Sequence, residues 1–172
     1  MTLDTPDYLA LSDVELLRQC EVDTFRGTGP GGQKRNKTES AVRIRHLPTG
    51  MAGHSDDSRS QHENRATALR RLRQRLALDL RRPLDLERYA PSSALQALLA
   101  GRGHVPGRRT GADLPAIAEL LDLFVALDCS VRDTAARLGV STAALSKVLL
   151  HEEKLTATVN ALRAERQLHP LR

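Results

Sequence analysis

The stretches Glu21-Val22-Asp23-Thr24-Phe25-Arg26 and Ala41-Val42-Arg43-Ile44-Arg45-His46-Leu47 decide the fold class. Both alternate polar and apolar residues with period two, the pattern of half-buried strands. In the second stretch Val42, Ile44 and His46 share one face, and Ala41, Arg43, Arg45 and Leu47 the other. Pro48-Thr49-Gly50 supplies a turn, from which Met51 to Ser55 can return as an antiparallel partner. From about Ser60 the period becomes helical. Ala66, Leu69, Leu72, Leu76 and Leu80 form one apolar stripe, surrounded by Arg65, Arg70, Arg71, Arg73 and Arg75. Arg81-Arg82-Pro83 ends that helix, because proline disfavours helical backbone in the residue before it. The expectation is an α+β fold: a small antiparallel sheet followed by a long basic helix.

Upstream, Ser12-Asp13-Val14-Glu15 has capping-box spacing and predicts a short helix over about Asp13–Gln19. Downstream, a helix over about Ser93–Ala100 stops at Gly101. Gly101–Gly111 holds four glycines, one proline and three arginines and reads as a flexible basic linker. Beyond it the pattern is wholly helical, with helices of about 114–127, 131–138, 142–150 and 152–167. The expected organisation is an N-terminal helical segment (1–19), a sheet-and-helix domain (20–83), a short helix with the linker (84–112) and a helical C-terminal domain (113–172). Ser130–Leu149 looks like a helix-turn-helix. Ala135 allows close helix contact, Gly139 permits the turn, and Leu138, Val140, Leu145 and Val148 point inward. Thr134 stands where an apolar residue is common. The second helix would expose Thr142, Ala143, Ser146 and Lys147, a nearly uncharged surface from which strong DNA binding is not expected. A bundle that only packs, RNA docking and DNA binding all remain readings of this domain.

The chain has 172 residues, with 26 Lys+Arg against 21 Asp+Glu, a formal net charge of +5. Apolar residues make up 40% and aromatics 2%, with no Trp, so the core must be Leu, Ala and Val. That scarcity of aromatics argues against single-strand binders that stack bases on Phe and Tyr. No apolar run approaches the ~18 residues of a membrane span. Met1–Asp7 lacks the basic and apolar parts of a signal peptide. Cys20 and Cys129 are isolated, so a disulfide framework is not expected and a cytoplasmic location is. The charge is unevenly spread. Residues 1–23 carry one basic and six acidic residues, net −5; residues 24–82 carry 14 and 5, net +9; residues 83–172 carry 11 and 10, net +1. Such clustering points to a polyanion, most often nucleic acid, or to a solvated Arg-rich helix face.

Between the two strands, Gly27-Thr28-Gly29-Pro30-Gly31-Gly32 holds five loop-forming residues in six. Gly31-Gly32-Gln33 alone fits any hairpin or strand-to-helix connection. Its surroundings are more specific: Phe25-Arg26, then Gly27 through Gln33, Lys34-Arg35-Asn36-Lys37-Thr38-Glu39-Ser40, Ala41-Val42-Arg43-Ile44, and the Pro48-Thr49-Gly50 turn. Arg59-Ser60-Gln61-His62-Glu63-Asn64-Arg65 then opens the Arg/Leu helix. This order resembles the GGQ catalytic domain of class I peptide chain release factors and of the codon-independent ribosome-rescue hydrolases related to them. The likeness covers about residues 20–80.

The resemblance implies a peptidyl-tRNA ester hydrolase acting on the ribosome, with Gly31, Gly32 and Gln33 as catalytic residues. Glycines let a loop enter a narrow cavity and turn sharply. Backbone N–H groups placed where negative charge develops stabilise acyl transfer by a few kcal/mol per donor. Gln33 has no useful acid or base pKa, but it can orient a water. The resemblance also makes Gln33 a candidate for N-methylation by a glutamine methyltransferase. Arg26, Lys34, Arg35, Asn36, Lys37, Arg43, Arg45, Arg59, Gln61 and Arg65 are the candidate contacts to large-subunit ribosomal RNA and the tRNA acceptor end. Arg59, Ser60, Gln61 and Asn64 either pack the loop base or touch RNA. Lys34 stands where many relatives have His, and Arg35 where many have a small apolar residue.

Only about 20 residues precede the first strand, too few for a codon-reading domain, so stop-codon reading is not expected. Gln167–Arg172 is too short and weakly charged for the basic tail of many rescue hydrolases. His46, His54 and His62 with Asp56 and Asp57 match no zinc spacing, so neither metal nor cofactor is expected. The sequence therefore reads as a cytoplasmic, release-factor-like hydrolase of (stalled) ribosomes. The alternatives are a non-catalytic ribosome- or RNA-binding adaptor and a helix-turn-helix DNA-binding regulator.

Overall fold

The structure, a computed structural model, describes residues 7–26, 39–101 and 113–172. Over these the chain is α+β, in the order α1 (Asp13–Leu17), β1 (Cys20–Phe25), β2 (Ala41–His46), β3 (Ala52–Ser55), α2 (Gln61–Asp79), α3 (Ser93–Leu99), α4 (Leu114–Ala126), α5 (Val131–Leu138), α6 (Thr142–Leu149) and α7 (Glu153–Glu165). It divides into two compact units, Pro6–Leu76 and one containing Ala77–Arg172. The expected linker lies, beyond Gly101, outside the described residues.

In the first unit Ser12 closes a full capping box: Glu15 N–H donates to its hydroxyl, and the Glu15 carboxylate accepts from the Ser12 N–H. The sheet is antiparallel in the order β1-β2-β3, with Val22 opposite Ile44, Thr24 opposite Val42, and Ile44 opposite Gly53. Alternation places Val22, Thr24, Val42, Ile44, His46, Gly53 and Ser55 on one face. At the turn, Gly50 adopts φ +69°, and the His46 N–H donates to the Met51 carbonyl at 2.8 Å.

Helix α2 packs backbone-close on this inner face. A Cβ on Gly53 would lie 2.0 Å from the Ala68 carbonyl oxygen and 2.5 Å from the Leu72 nitrogen, so only glycine fits there. The buried stripe of α2 is Ala68, Leu69, Leu72 and Leu76. Ala66, expected in it, is exposed. At 3.6 residues per turn, a residue six positions before Leu72 stands about 120° away from it around the helix. The helix stops at Asp79, short of Arg82, and Leu80 lies beyond its end.

In the second unit Leu78, Leu95, Leu98, Ile117, Leu120, Leu121, Phe124, Leu145, Leu149, Leu155 and Val159 form the core. Arg81 and Arg82 leave the helical path and converge on Asp122 of α4, which is 2% exposed. Helices α5 and α6 have helix-turn-helix form. Ser130 and Ser141 cap them through their hydroxyls, and Gly139 takes the left-handed conformation between them. Thr134 is fully buried, and its hydroxyl has no hydrogen-bond partner among the described residues. Thr142, Ala143 and Lys147 are exposed as expected, but Ser146 is half-buried.

Candidate functional site

Gly31, Gly32, Gln33, Lys34, Arg35, Asn36 and Lys37 lie outside the described residues. What is described is the base on which they are mounted. Phe25 pairs with Ala41 across the β1–β2 ladder, and one residue further the Arg26 guanidinium lies 3.8 Å from the Glu39 carboxylate. The two ends of segment 27–38 therefore leave the sheet side by side.

Asn64 holds the second end from beneath. Its Nδ2 donates to the carbonyls of Ser40 and Ser58, both at 2.7 Å. Its Oδ1 accepts from the Ser58 N–H at 2.9 Å and from the Ser55 hydroxyl at 3.2 Å. The amide is thus saturated, and the residue is 1% exposed. One side chain on the first turn of α2 ties the start of β2, the end of β3 and the loop between β3 and α2. Ser60 starts the helix, accepting the Asn64 N–H on its carbonyl at 3.0 Å and the Glu63 N–H on its hydroxyl at 3.3 Å. Asn64 and Ser60 are therefore packing and capping residues, whereas Arg59, Gln61 and Arg65 are exposed. Ser40, Ser55 and Ser58 escaped sequence reading, since a serine shows its partner only once the chain has folded.

The outer face of the sheet carries a ladder of charges. Arg43 donates to Asp23 through Nε at 3.3 Å and through a terminal nitrogen at 3.0 Å. Arg45 pairs with Glu21, which holds its guanidinium pKa above the usual value. Arg73 bonds Asp13 at 2.8 Å, and Arg71 bonds Asp57 at 2.8 Å. Three of these acids belong to the net-acidic N-terminal stretch, so folding lays Asp13, Glu21 and Asp23 against the basic segment and cancels part of its charge. Beside the ladder the Phe25 ring stacks on His54, with centroids 5.3 Å apart and planes 18° from parallel.

On the opposite face a groove of about 240 Å³ opens between the edge strand β1 and the first turns of α2. Val22 and Val42 belong to its sheet side together with Thr24; Gln61, His62 and Arg65 belong to its helix side. Gln61 and Arg65, two of the RNA candidates, thus share one concavity. His46 is not a ligand candidate here. It is buried, its Nδ1 2.8 Å from the Thr49 hydroxyl and its Nε2 3.4 Å from the Gln19 Oε1, with Tyr8 edge-on at 4.5 Å. Burial lowers its pKa from the usual histidine value. Among the described residues no group of three His, Cys, Asp or Glu side chains could hold a metal ion, and no helix is long and apolar enough to cross a membrane.

This stem, staple and sheet lie within the part of the chain that matches a known family, the RF-1 domain, over residues 13–97. Residues 13–97 are an RF-1 domain. The chain is accordingly a class I release-factor-like protein of the GGQ-domain kind. It is 47% identical over 100 residues to peptide chain release factor 1 of Verminephrobacter eiseniae, covering 58% of this chain and 26% of that protein. It is 50% identical over 82 residues to peptide chain release factor 1 of Delftia acidovorans, covering 48% and 22%. It is 42% identical over 88 residues to peptide chain release factor 2 of Campylobacter concisus, covering 51% and 23%. The chain thus spans about a quarter of the length of these relatives. The RF-1 match ends before α4, so α4–α7 lie outside it.

Proposed function

We propose that this chain hydrolyses the ester of peptidyl-tRNA on the ribosome without reading a stop codon, acting on stalled complexes. The observation that carries this reading is the RF-1 domain together with Gly31-Gly32-Gln33 between two strands whose ends are held side by side. A loop on such a stem can be presented as a unit to a narrow cavity. Gly31 and Gly32 give the backbone its turn, the Gln33 N–H faces the developing oxyanion, and its side-chain amide orients the attacking water. Lys34, Arg35, Asn36 and Lys37, with Arg26, Arg59, Gln61 and Arg65, hold the loop against ribosomal RNA and the tRNA acceptor end. Gln33 is also the residue a glutamine methyltransferase would modify.

The test is release of N-acyl-amino acid from ribosome-bound tRNA, on ribosomes with a truncated message and on ribosomes with an intact stop codon. Release is expected on the truncated message. Gln33→Ala keeps the backbone N–H but should slow it by about 10²–10³-fold, the cost of losing a positioned water-orienting group. Full release by Gln33→Ala would remove the side-chain amide from the chemistry, and full release by Gly32→Ala as well would remove the loop. Release confined to stop-codon complexes would overturn the codon-independent reading.

A further inference from the structure

We infer that the groove between β1 and α2 is a binding site for one unpaired RNA nucleotide, a contact separate from the Gly31-Gly32-Gln33 loop. The inference rests on the RNA-docking part of the reading above and adds a particular pocket to it. Three features of the groove carry it.

Its volume, about 240 Å³, is that of a small pocket, enough for a nucleobase and too small for a folded peptide element. Its lining is divided by chemistry. Val22, half-buried over the buried Val42, gives the groove an apolar wall for the face of a base, while Gln61 carries the donor–acceptor amide that reads a base edge. Arg65 and His62 add a guanidinium and an imidazole, planar groups that stack on bases and bond phosphate. Its charge is one-sided, for no carboxylate lines it. Arg65 has no ion-pair partner among the described residues, whereas Arg43, Arg45, Arg71 and Arg73 each have one. Arg65 can therefore meet a phosphate at the groove without breaking an ion pair, which the arginines of the charged ladder cannot.

Position adds a further argument. Thr24 is two residues before Arg26, and Val42 two after Ser40, so the groove flanks the stem from which segment 27–38 leaves. A nucleotide seated here would fix the stem, and with it the loop, relative to the RNA that supplies it. Two sources share that chemistry: an unpaired residue of large-subunit ribosomal RNA and the single-stranded acceptor end of tRNA.

The test uses the full chain and two probes, isolated large ribosomal subunits and deacylated tRNA, with affinities read at several salt concentrations. Thr24→Trp fills the groove without changing charge and should weaken binding by about tenfold, with the salt slope unchanged. Arg65→Gln should weaken it by about tenfold and reduce the salt slope by about one. Arg70→Gln removes the same charge from α2 outside the groove and should have a clearly smaller effect. Gln61→Ala, an exposed position, repeats the test should Thr24→Trp lower the melting temperature. Losses on subunits alone assign the nucleotide to ribosomal RNA, and losses on tRNA alone to the acceptor end. If the unaltered chain binds neither probe, the RNA-docking reading falls and the groove with it. If it binds but Thr24→Trp and Gln61→Ala bind equally well, only the groove assignment falls.

Discussion

Asn64 is the residue on which the loop base depends. Replacing it with Ala removes four hydrogen bonds and leaves buried groups of Ser40 and Ser55, and half-buried ones of Ser58, short of a partner. An unsatisfied buried group costs more than the bond was worth, so Asn64→Ala should destabilise the chain by about 2–4 kcal/mol. Urea unfolding measures this, and a loss under about 1 kcal/mol would show that the network is dispensable. Asn64→Asp should also fail, since a carboxylate cannot donate to the carbonyls of Ser40 and Ser58. His46 makes a prediction about pH. Its folded pKa lies below the unfolded value of about 6.5, so the unfolded chain binds the extra proton and stability rises with pH. The contribution is complete above the unfolded pKa and is lost as pH falls through it towards the folded one. The urea midpoint should therefore drop between pH 7.5 and pH 5, less so in His46→Gln. A His46 titration by NMR at or above the unfolded value would overturn that sign.

At the scale of elements, much was legible because local patterns decide local structure. Period-two alternation located β1 and β2, the Pro48-Thr49-Gly50 turn located the hairpin, and the Ser12 capping box located α1. What was not legible depends on partners distant in sequence. The buried face of α2 is centred on Ala68 and Leu72 because Gly53 of β3 admits the helix backbone there, and the helical period alone does not identify that contact. Asn64 belonged visibly to a motif, but its role as staple followed only from its bonds to three serines. The end of α2 is set likewise by Asp122, forty residues away. Asp122 accepts from Arg81 at 3.1 Å, from the Arg82 N–H at 3.0 Å and from the Arg82 guanidinium at 3.1 Å. Removing one partner of a buried charge cluster leaves the others desolvated and uncompensated. The arginine side chains are 18% and 28% exposed, so water recovers part of the loss. Asp122→Ala should cost about 3 kcal/mol in urea unfolding, and Asp122→Asn, which keeps an acceptor, clearly less. Equal losses for the two variants would mean that shape, not charge, holds this junction.

For the whole molecule, the decisive quantity is how much of the positive charge is available to a polyanion. Counted along the chain, residues 24–82 hold 14 Lys and Arg. Folding changes that count, because the antiparallel register sets Asp23 opposite Arg43 and Glu21 opposite Arg45, and Asp13 reaches Arg73. Arg26, Arg71, Arg81 and Arg82 are ion-paired as well. At least seven of the fourteen thus already have a carboxylate partner, leaving at most seven to neutralise phosphates without breaking a pair. Each phosphate contact contributes roughly 0.7–0.9 to the slope of log affinity against log salt. Contacts from this segment should therefore contribute a slope no steeper than about −6 to binding of large ribosomal subunits, whereas engagement of all fourteen would contribute about −10 or beyond. The ladder supplies the internal check. If Arg43 and Arg45 are occupied by Asp23 and Glu21, the double variant Arg43→Gln, Arg45→Gln should leave the slope within about half a unit of its starting value. A drop of about two would mean that both arginines leave their carboxylates for RNA, and that the sheet face belongs to the docking surface alongside the groove.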